Sequence, residues 1–267
     1  MQIYHVTVIL ILLITCSTIK QPQVQDSSDT AFSKSSGQNG DLYYRLEIPA
    51  SSEEEIIHHT GYSFVYSEMY ELANWVAYAL TKTEVSGTIE RSTSFLPDPN
   101  VKTGTANNQD YFKSGYDRGH LAPAADMSWS EIAMKESFYY SNIAPQTPAF
   151  NRGVWKNLES LVRNWAITDS VLYTVTGPVL TDDLDTIGAN KVSVPTHFYK
   201  VILVFRKNNA KGIGFIIPNE GTSRGLTEFA ISIDSVEQVT GIDFFPRIPD
   251  DEEIIIESSI CLPCWNW

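Results

Sequence analysis

The chain has 267 residues, of which 43% are hydrophobic, and this is enough apolar content to bury the core of one large domain. Its formal net charge of −13 excludes a protein that coats nucleic acid through overall positive charge, but it does not exclude a local basic cleft. No internal repeat divides the sequence. We therefore predict a single domain over residues 41–267 with an acidic C-terminal segment.

The N-terminus carries a short apolar run, Val6–Ile14, broken by one threonine. The run is too short to cross a membrane comfortably and has the length of a signal-peptide core. We therefore predict a signal peptide over residues 1–16 and an exported protein, either secreted or attached to the cell envelope. The run ends at Cys16 in LITC, which resembles a bacterial lipoprotein signal, so lipid on Cys16 is an alternative form of membrane attachment. Residues 17–40 are rich in Ser, Gln and Gly and predict a flexible spacer.

The folded part opens with ELANWVAYAL, residues 71–80, whose apolar pattern fits either a strand or a short helix. Residues 94–120 follow as a long irregular stretch that contains prolines and glycines, a composition often found in functional loops. The helix formers in residues 129–142 follow Ser128 or Ser130, and either serine could cap a helix.

Residues 151–167, NRGVWKNLESLVRNWAI, give the clearest helical pattern in the chain, with Asn151 at the expected N-cap. Their apolar residues recur at the spacing of one helix face. These residues are Val154, Trp155, Leu158, Leu161, Val162 and Trp165.

The second half of the chain alternates between strand and helix signals. Residues 170–180, 195–205 and 211–219 are rich in β-branched and aromatic residues and predict strands. SIDSVEQVTGIDFF predicts a helix that ends near Gly241, and DDEEIIIESSI predicts a last helix. Because strand pairs and helices occur without strict alternation, the fold class is α+β.

Cys261 and Cys264 form a C-x-x-C pair close to the last residue, Trp267. A zinc site needs four ligands and no second pair is present, so zinc is disfavoured. A structural disulfide and two free thiols remain as the two interpretations.

Four stretches carry side chains suited to phosphodiester hydrolysis: Arg91, the DRGH of residues 117–120, the SNIAPQ of residues 141–146, and residues 150–159. A neutral histidine can take a proton from water, arginines can hold a phosphate, and amide and carboxylate oxygens suit Mg²⁺. Each signal also has a structural explanation: an N-cap asparagine needs no metal, and Glu159 with Arg163 could form an ordinary salt bridge along a helix.

The strings DRGHLAPAADM and FYYSNIAPQTPAFNRGVWKNLE, taken in order, resemble the DNA/RNA non-specific endonuclease family, to which Serratia nuclease and mitochondrial endonuclease G belong. The resemblance covers roughly residues 60–250. It implies a ββα-metal nuclease fold, with a central, mainly antiparallel sheet flanked by helices.

The resemblance also implies a role for each motif residue. His120 is expected to be the general base that activates water, Asn151 to bind Mg²⁺ directly, and Glu159 to hold the water shell of the metal. The other expected site residues are Arg118 and Arg91 beside the scissile phosphate, Asn142 as a supporting amide, and Asp117, Gly119 and Trp155 as structural residues.

The implied activity is Mg²⁺-dependent, sequence-non-specific cleavage of DNA and RNA to 5′-phosphate products, with Mn²⁺ as an alternative metal. Contacts to phosphates rather than to base edges explain the lack of sequence preference. Two other functions were considered. A phosphodiesterase of the same fold would act on smaller phosphoesters. A catalytically inactive, envelope-attached binding domain would have lost a site residue, and none is missing.

Overall fold

The computed structural model describes residues 45–50, 55–206 and 209–267. The chain divides into two units, Met1–Gly40 and Asp41–Trp267. The predicted signal peptide, Cys16 and the spacer lie in the first unit, outside the described residues. In the part of the chain that is described, no helix has the length and apolar character needed to cross a membrane.

A seven-stranded antiparallel sheet forms the centre of the second unit, in the order β1-β2-β3-β6-β9-β10-β11. Two small sheets, β4-β5 and β7-β8, accompany it. The strands are β1 (Ile56–His58), β2 (Ser63–Ser67), β3 (Leu72–Thr81), β4 (Asp117–His120), β5 (Ile143–Gln146), β6 (Val171–Pro178), β7 (Thr186–Ile187), β8 (Val192–Ser193), β9 (His197–Val204), β10 (Lys211–Pro218) and β11 (Ala230–Ile231).

Helices cover both faces of this sheet. They are α1 (Lys82–Val85), α2 (Asn108–Tyr111), α3 (Glu131–Glu136), α4 (Pro148–Phe150), α5 (Lys156–Asp169), α6 (Ile233–Thr240) and α7 (Asp250–Glu257). The predicted strands of the second half and the last two helices are confirmed, and the ambiguous segment 71–80 is strand β3. Helix α3 is capped by Ser130, and α6 ends at Gly241, whose φ of 70° favours glycine.

Strand β9 shows how the sheet separates two cores. Phe198 and Ile202 point to the face covered by α5, whereas Tyr199 and Val201 point to the face covered by α6 and α7. On the second face, a Cβ atom at Gly214 would lie 2.5 Å from a methyl group of Val236, so glycine allows α6 to pack closely on β10. The buried residues of the predicted α5 stripe join the first core, with Leu161 partly buried at its margin.

The helical segment begins earlier than the predicted N-cap at Asn151. Thr147 is the N-cap of α4: its hydroxyl accepts from the backbone N–H of Phe150 at 3.3 Å, and Pro148 occupies the first helical position. Asn151 itself has helical φ/ψ angles and opens a π-helical turn, Asn151–Trp155, that leads into α5. The prediction of an N-cap at Asn151 is therefore wrong, because the Thr-Pro pair starts the helix one turn upstream.

Replacing Thr147 with alanine is expected to lower the free energy of unfolding by about 1 kcal/mol, because the N–H of Phe150 loses its acceptor. Urea denaturation measures this loss. Thr147→Ser retains the hydroxyl and is expected to stay close to the unmutated protein. An equal loss in both variants would contradict the cap.

Cys261 and Cys264 form a disulfide. This confirms the first of the two interpretations left open by the sequence. The bridge closes the turn that leads to Trp265, whose ring packs against Trp165 of α5 with the centroids 4.5 Å apart. The C-terminal residues therefore pack on the same core as α5.

Candidate active site

Two short strands and a helix bring the motif residues together. Strands β4 and β5 pair antiparallel, with Asp117 opposite Gln146 and His120 opposite Ile143. The chain then turns at Thr147 directly into the helical segment that carries Asn151 and Glu159. Residues that lie far apart in the sequence thus come together in one ββα unit, which consists of β4, β5 and residues 147–169.

The side chain of Asn151 is held by Asp117. Its Nδ2 atom donates to Asp117 Oδ2 at 2.9 Å, so the carbonyl Oδ1 is directed away from the carboxylate. Asp117 also accepts from Arg152 through a bidentate pair at 2.6 and 2.8 Å. These partners hold the pKa of Asp117 below its usual value, against the opposing effect of burial. In the structure, Asp117 thus holds the side chains of both Asn151 and Arg152.

His120 is buried in an aromatic pocket. Its ring makes an edge contact with Phe138 at 4.8 Å and a tilted contact with Phe95 at 5.7 Å. The Nε2 atom is buried and has no hydrogen-bond partner in the described structure. Burial, with a smaller effect from the positive charge of Arg91, lowers the pKa of His120 to about 3. The imidazole is therefore neutral at physiological pH.

Arg91 and Glu159 lie on the same side of the site as His120. The guanidinium of Arg91 stands 5.1 Å from the centre of the Phe138 ring, and its charge acts on both His120 and Glu159. Burial raises the pKa of Glu159 to about 7, an effect that the charge of Lys200 opposes. Arg91 therefore lies within electrostatic reach of both His120 and Glu159.

Arg118 contacts the same aromatic pocket. Its guanidinium stacks at 5.3 Å on Phe95, and its Nε donates to the hydroxyl of Tyr140 at 3.0 Å. Gly119 lies beneath the side chain of Gln146, where a Cβ atom would stand 2.1 Å from the amide carbon. The φ of Gly119 is not positive, so the close approach of Gln146 is what favours glycine at this position.

Asn142 supports the site from inside the core. Its amide accepts from the backbone N–H of Ala122 at 2.8 Å and donates to the carbonyls of Ala122 and Ser137. Every one of these bonds goes to the backbone, and the residue is fully buried. Asn142 therefore fixes the chain that follows His120 through these backbone contacts.

A group of buried charges behind the site was missed by sequence reasoning. Asp126 accepts from Arg163 at 2.9 Å and from the hydroxyl of Tyr78 at 2.8 Å. Lys200 is fully buried on β9, donates to the hydroxyl of Thr176, and burial lowers its pKa to about 8. A lysine inside the apolar run HFYKVILV was the available signal, because an unpaired lysine is rarely buried.

The sequence allowed a salt bridge along the helix between Glu159 and Arg163, but in the structure Arg163 pairs with Asp126. Arg163 binds Asp126, which lies on the 3₁₀ turn directly after the DRGH strand. It also lines a groove of about 490 Å³ together with Arg91, Ser128, Ser160 and Asn164. Two arginines and several hydroxyl and amide groups therefore border an open groove next to the ββα unit.

A family model described as DNA/RNA non-specific endonuclease matches residues 39–251. The chain belongs to this family. Its members are metal-dependent nucleases, and the family assignment drawn from the motifs is confirmed. A crystal structure of an EndoG/EndoGI complex matches with a TM-score of 0.72 and 32% identity, covering 81% of this chain and 95% of that chain. The predicted α+β, ββα-metal fold class is therefore confirmed as well.

Relatives of known name fall in the same family. Nuclease EXOG, mitochondrial, from Danio rerio is 38% identical over 76% of this chain and 64% of its own length. Endonuclease G, mitochondrial, from Bos taurus is 35% identical over 70% of this chain and 68% of its own length. Nuclease C1 from Cunninghamella echinulata var. echinulata is 35% identical over 73% of this chain and 84% of its own length. The chain thus spans slightly less than two thirds of the EXOG relative.

These names overturn one prediction. The short apolar run at the N-terminus led us to expect secretion or attachment to a cell envelope. EXOG and endonuclease G are both named as mitochondrial nucleases. The expected location is therefore wrong. An apolar run of this length is a weak signal, because several kinds of N-terminal segment contain one.

Proposed function

We propose that this protein is a Mg²⁺-dependent endonuclease that hydrolyses phosphodiester bonds of DNA and RNA without sequence preference and leaves 5′-phosphate ends. The observation that carries the proposal is the unpartnered Nε2 of a neutral, buried His120 within the electrostatic field of Arg91, whose charge also acts on Glu159. The mitochondrial names of the relatives support a mitochondrial location for this activity.

The oxygen donors of the site suit a hard divalent cation. The carbonyl Oδ1 of Asn151 is the end of the amide that Asp117 does not bind. Burial raises the pKa of the Glu159 carboxyl to about 7, and a nearby cation would stabilise its charged form. Asn151 and Glu159 would hold the metal. When bound, Mg²⁺ supplies stabilisation of the negative charge that builds on the phosphate oxygens.

The remaining steps are performed by protein side chains. His120 Nε2 takes a proton from water, which then attacks phosphorus as the 3′ oxygen leaves, so the phosphate stays on the 5′ end. Arg91 and Arg118 hold the scissile phosphate through charge-assisted hydrogen bonds. The aromatic pocket of Phe95 and Phe138 excludes water from the far side of the imidazole and fixes its orientation.

The distribution of charge supports a polyanionic substrate despite the net charge of −13. Arg91 and Arg163 border the groove beside the ββα unit, whereas acidic residues are concentrated on α6 and α7, over the opposite face of the sheet. The phosphate backbone therefore meets local positive charge at the site.

Metal removal tests the proposal. The full chain is incubated with supercoiled plasmid or with RNA in Mg²⁺, and with the same metal plus EDTA. We expect cleavage of both substrates that EDTA abolishes, and DNA ends that accept a kinase label only after phosphatase treatment. Asn151→Ala is expected to require about 10- to 100-fold more Mg²⁺, whereas the exposed Asn100→Ala is expected to behave as the unmutated protein.

Two outcomes would contradict the proposal. Plasmid cleavage that persists in EDTA would exclude the metal dependence. Turnover of a small phosphodiester without cleavage of plasmid or RNA would favour the alternative phosphodiesterase function.

A further inference from the structure

A cluster of carboxylates lies where α6 and α7 pack together, on the sheet face opposite the ββα unit. Asp234 and Glu237 project from one face of α6, and Glu257 comes from the last turn of α7. One carboxylate oxygen from each of the three residues lies within 4.8 Å of the other two. These three residues are called the α6–α7 carboxylate cluster below.

Glu257 is the unusual member of the cluster. It is 4% exposed, and its Oε1 atom is buried without a hydrogen-bond partner in the described structure. Burial, followed by the charges of Glu237, Glu253 and Asp234, raises the pKa of Glu257 to about 9. A buried carboxylate is normally paired or fully hydrogen-bonded, so this carboxyl group, with an oxygen within 4.8 Å of those of Asp234 and Glu237, is a costly arrangement for the protein alone.

The groups that face the cluster are acidic. Asp243, in the loop after α6, and Glu253 of α7 add further negative charge. Within the described ranges no lysine or arginine forms an ion pair with any of these five carboxylates. On neighbouring segments, Lys211 is bound to Asp169 and Arg247 to backbone carbonyls.

Glu237 has one oxygen already engaged, because its Oε1 accepts from the backbone N–H of Phe244 at 2.8 Å. This bond fixes the carboxylate and leaves its second oxygen for another partner. The α6 side of the cluster is therefore held in place by the fold, as the residues that hold a bound ion usually are.

We propose that Asp234, Glu237 and Glu257 form a Ca²⁺ site that joins α6 to α7. Ca²⁺ binds oxygen ligands at about 2.3–2.6 Å, so two ligands on opposite sides of the ion stand about 4.8 Å apart. The three carboxylate oxygens fall within this separation. Mg²⁺ fits less well, because it keeps several waters and usually takes only one or two carboxylates.

The site is structural and independent of the nuclease chemistry. Helices α6 and α7 both pack on the core that includes Val236 and Ile256, away from His120. A cation between them would relieve the mutual repulsion of the carboxylates and tie the C-terminal helix to the sheet. Bound Ca²⁺ is therefore expected to stabilise the folded state by linkage, without a requirement for substrate.

Thermal unfolding of the full chain, with and without CaCl₂, tests the proposal. We expect Ca²⁺ at about 100 times its Kd to raise the Tm of the unmutated protein by about 5–10 °C. In Glu257→Gln this rise is lost or reduced to whatever the active site contributes. In EGTA the same variant is expected to be about as stable as the unmutated protein, because without a cation the raised pKa already keeps Glu257 largely protonated at neutral pH.

Glu252→Gln, on an exposed position of α7, is the matched control and is expected to retain the full Ca²⁺ shift. Isothermal titration with CaCl₂ is expected to show one site fewer in Glu257→Gln than in this control. If Glu257→Gln does not fold, Asp234→Asn, which is only partly buried, decides the question by the same two measurements. Ca²⁺ shifts and stoichiometry equal to those of the unmutated protein would overturn the site.

Discussion

Replacing His120 with alanine is expected to lower kcat for plasmid cleavage by about 10²- to 10⁴-fold, the usual contribution of a general base. The imidazole is neutral at physiological pH because burial lowers its pKa to about 3, and its Nε2 atom has no partner among the described residues. Removing it leaves Arg91, Asn151 and Glu159 in place. The loss is therefore expected in kcat, with KM for the plasmid little changed.

His58→Ala is the matched control for this prediction. His58 is an exposed histidine on β1, bonded to Arg45 and Ser63 and not to any residue of the ββα unit. Its removal is expected to leave cleavage unchanged. Circular dichroism confirms that both variants fold. Cleavage by His120→Ala at the rate of the control would exclude His120 as the base.

Replacing Asp126 with alanine is expected to lower the free energy of unfolding by about 3–5 kcal/mol. The substitution leaves the buried hydroxyl of Tyr78 without its acceptor, and it leaves the partly buried guanidinium of Arg163 with Ser160 as an acceptor but without a paired charge. It also leaves Lys200 with Glu159 as its main compensating charge. Chemical denaturation followed by tryptophan fluorescence measures the loss.

The exposed pair formed by Arg224 and Glu228 provides a control of the same chemistry. Glu228→Ala removes a carboxylate from an arginine at the surface, where solvent screens the interaction, and from the backbone N–H of Gly225, so only a small loss is expected. Asp126→Asn retains a hydrogen-bond acceptor and is expected to fall between the two. A loss from Asp126→Ala no larger than that from Glu228→Ala would show that the buried group contributes little to stability.

Several elements could be predicted because their signals are local. The apolar stripe of residues 151–167 predicts a helix that buries Trp155, Leu158 and Trp165, and each of these side chains is buried. The β-branched runs after residue 170 predict strands, and glycine at 241 predicts the end of α6. Periodicity and capping depend on neighbours in sequence, so they can be read before the fold is known.

The start of the helical segment that carries Asn151 has two candidate N-caps in the sequence, Thr147 and Asn151, and the structure uses Thr147. Thr147 and Pro148 are the favoured pair for an N-cap and a first helical position, whereas Asn151 looked like a cap because it precedes the apolar stripe. Asn151 keeps helical φ/ψ angles at the start of the π-helical turn, and its side chain meets Asp117. The orientation of the Asn151 side chain is therefore set by a contact with β4, which is distant in the sequence.

The sequence by itself determined which chemical groups are present and in which order, and the motifs around His120, Asn151 and Glu159 were enough to assign the family. Only the tertiary structure decided which charges meet. It paired Arg163 with Asp126 instead of Glu159, buried Lys200, turned Asn142 inward, and gathered the carboxylates of α6 and α7. Burial and charge proximity set these interactions, and both depend on residues that are distant in sequence and become neighbours only when the sheet and its helices pack.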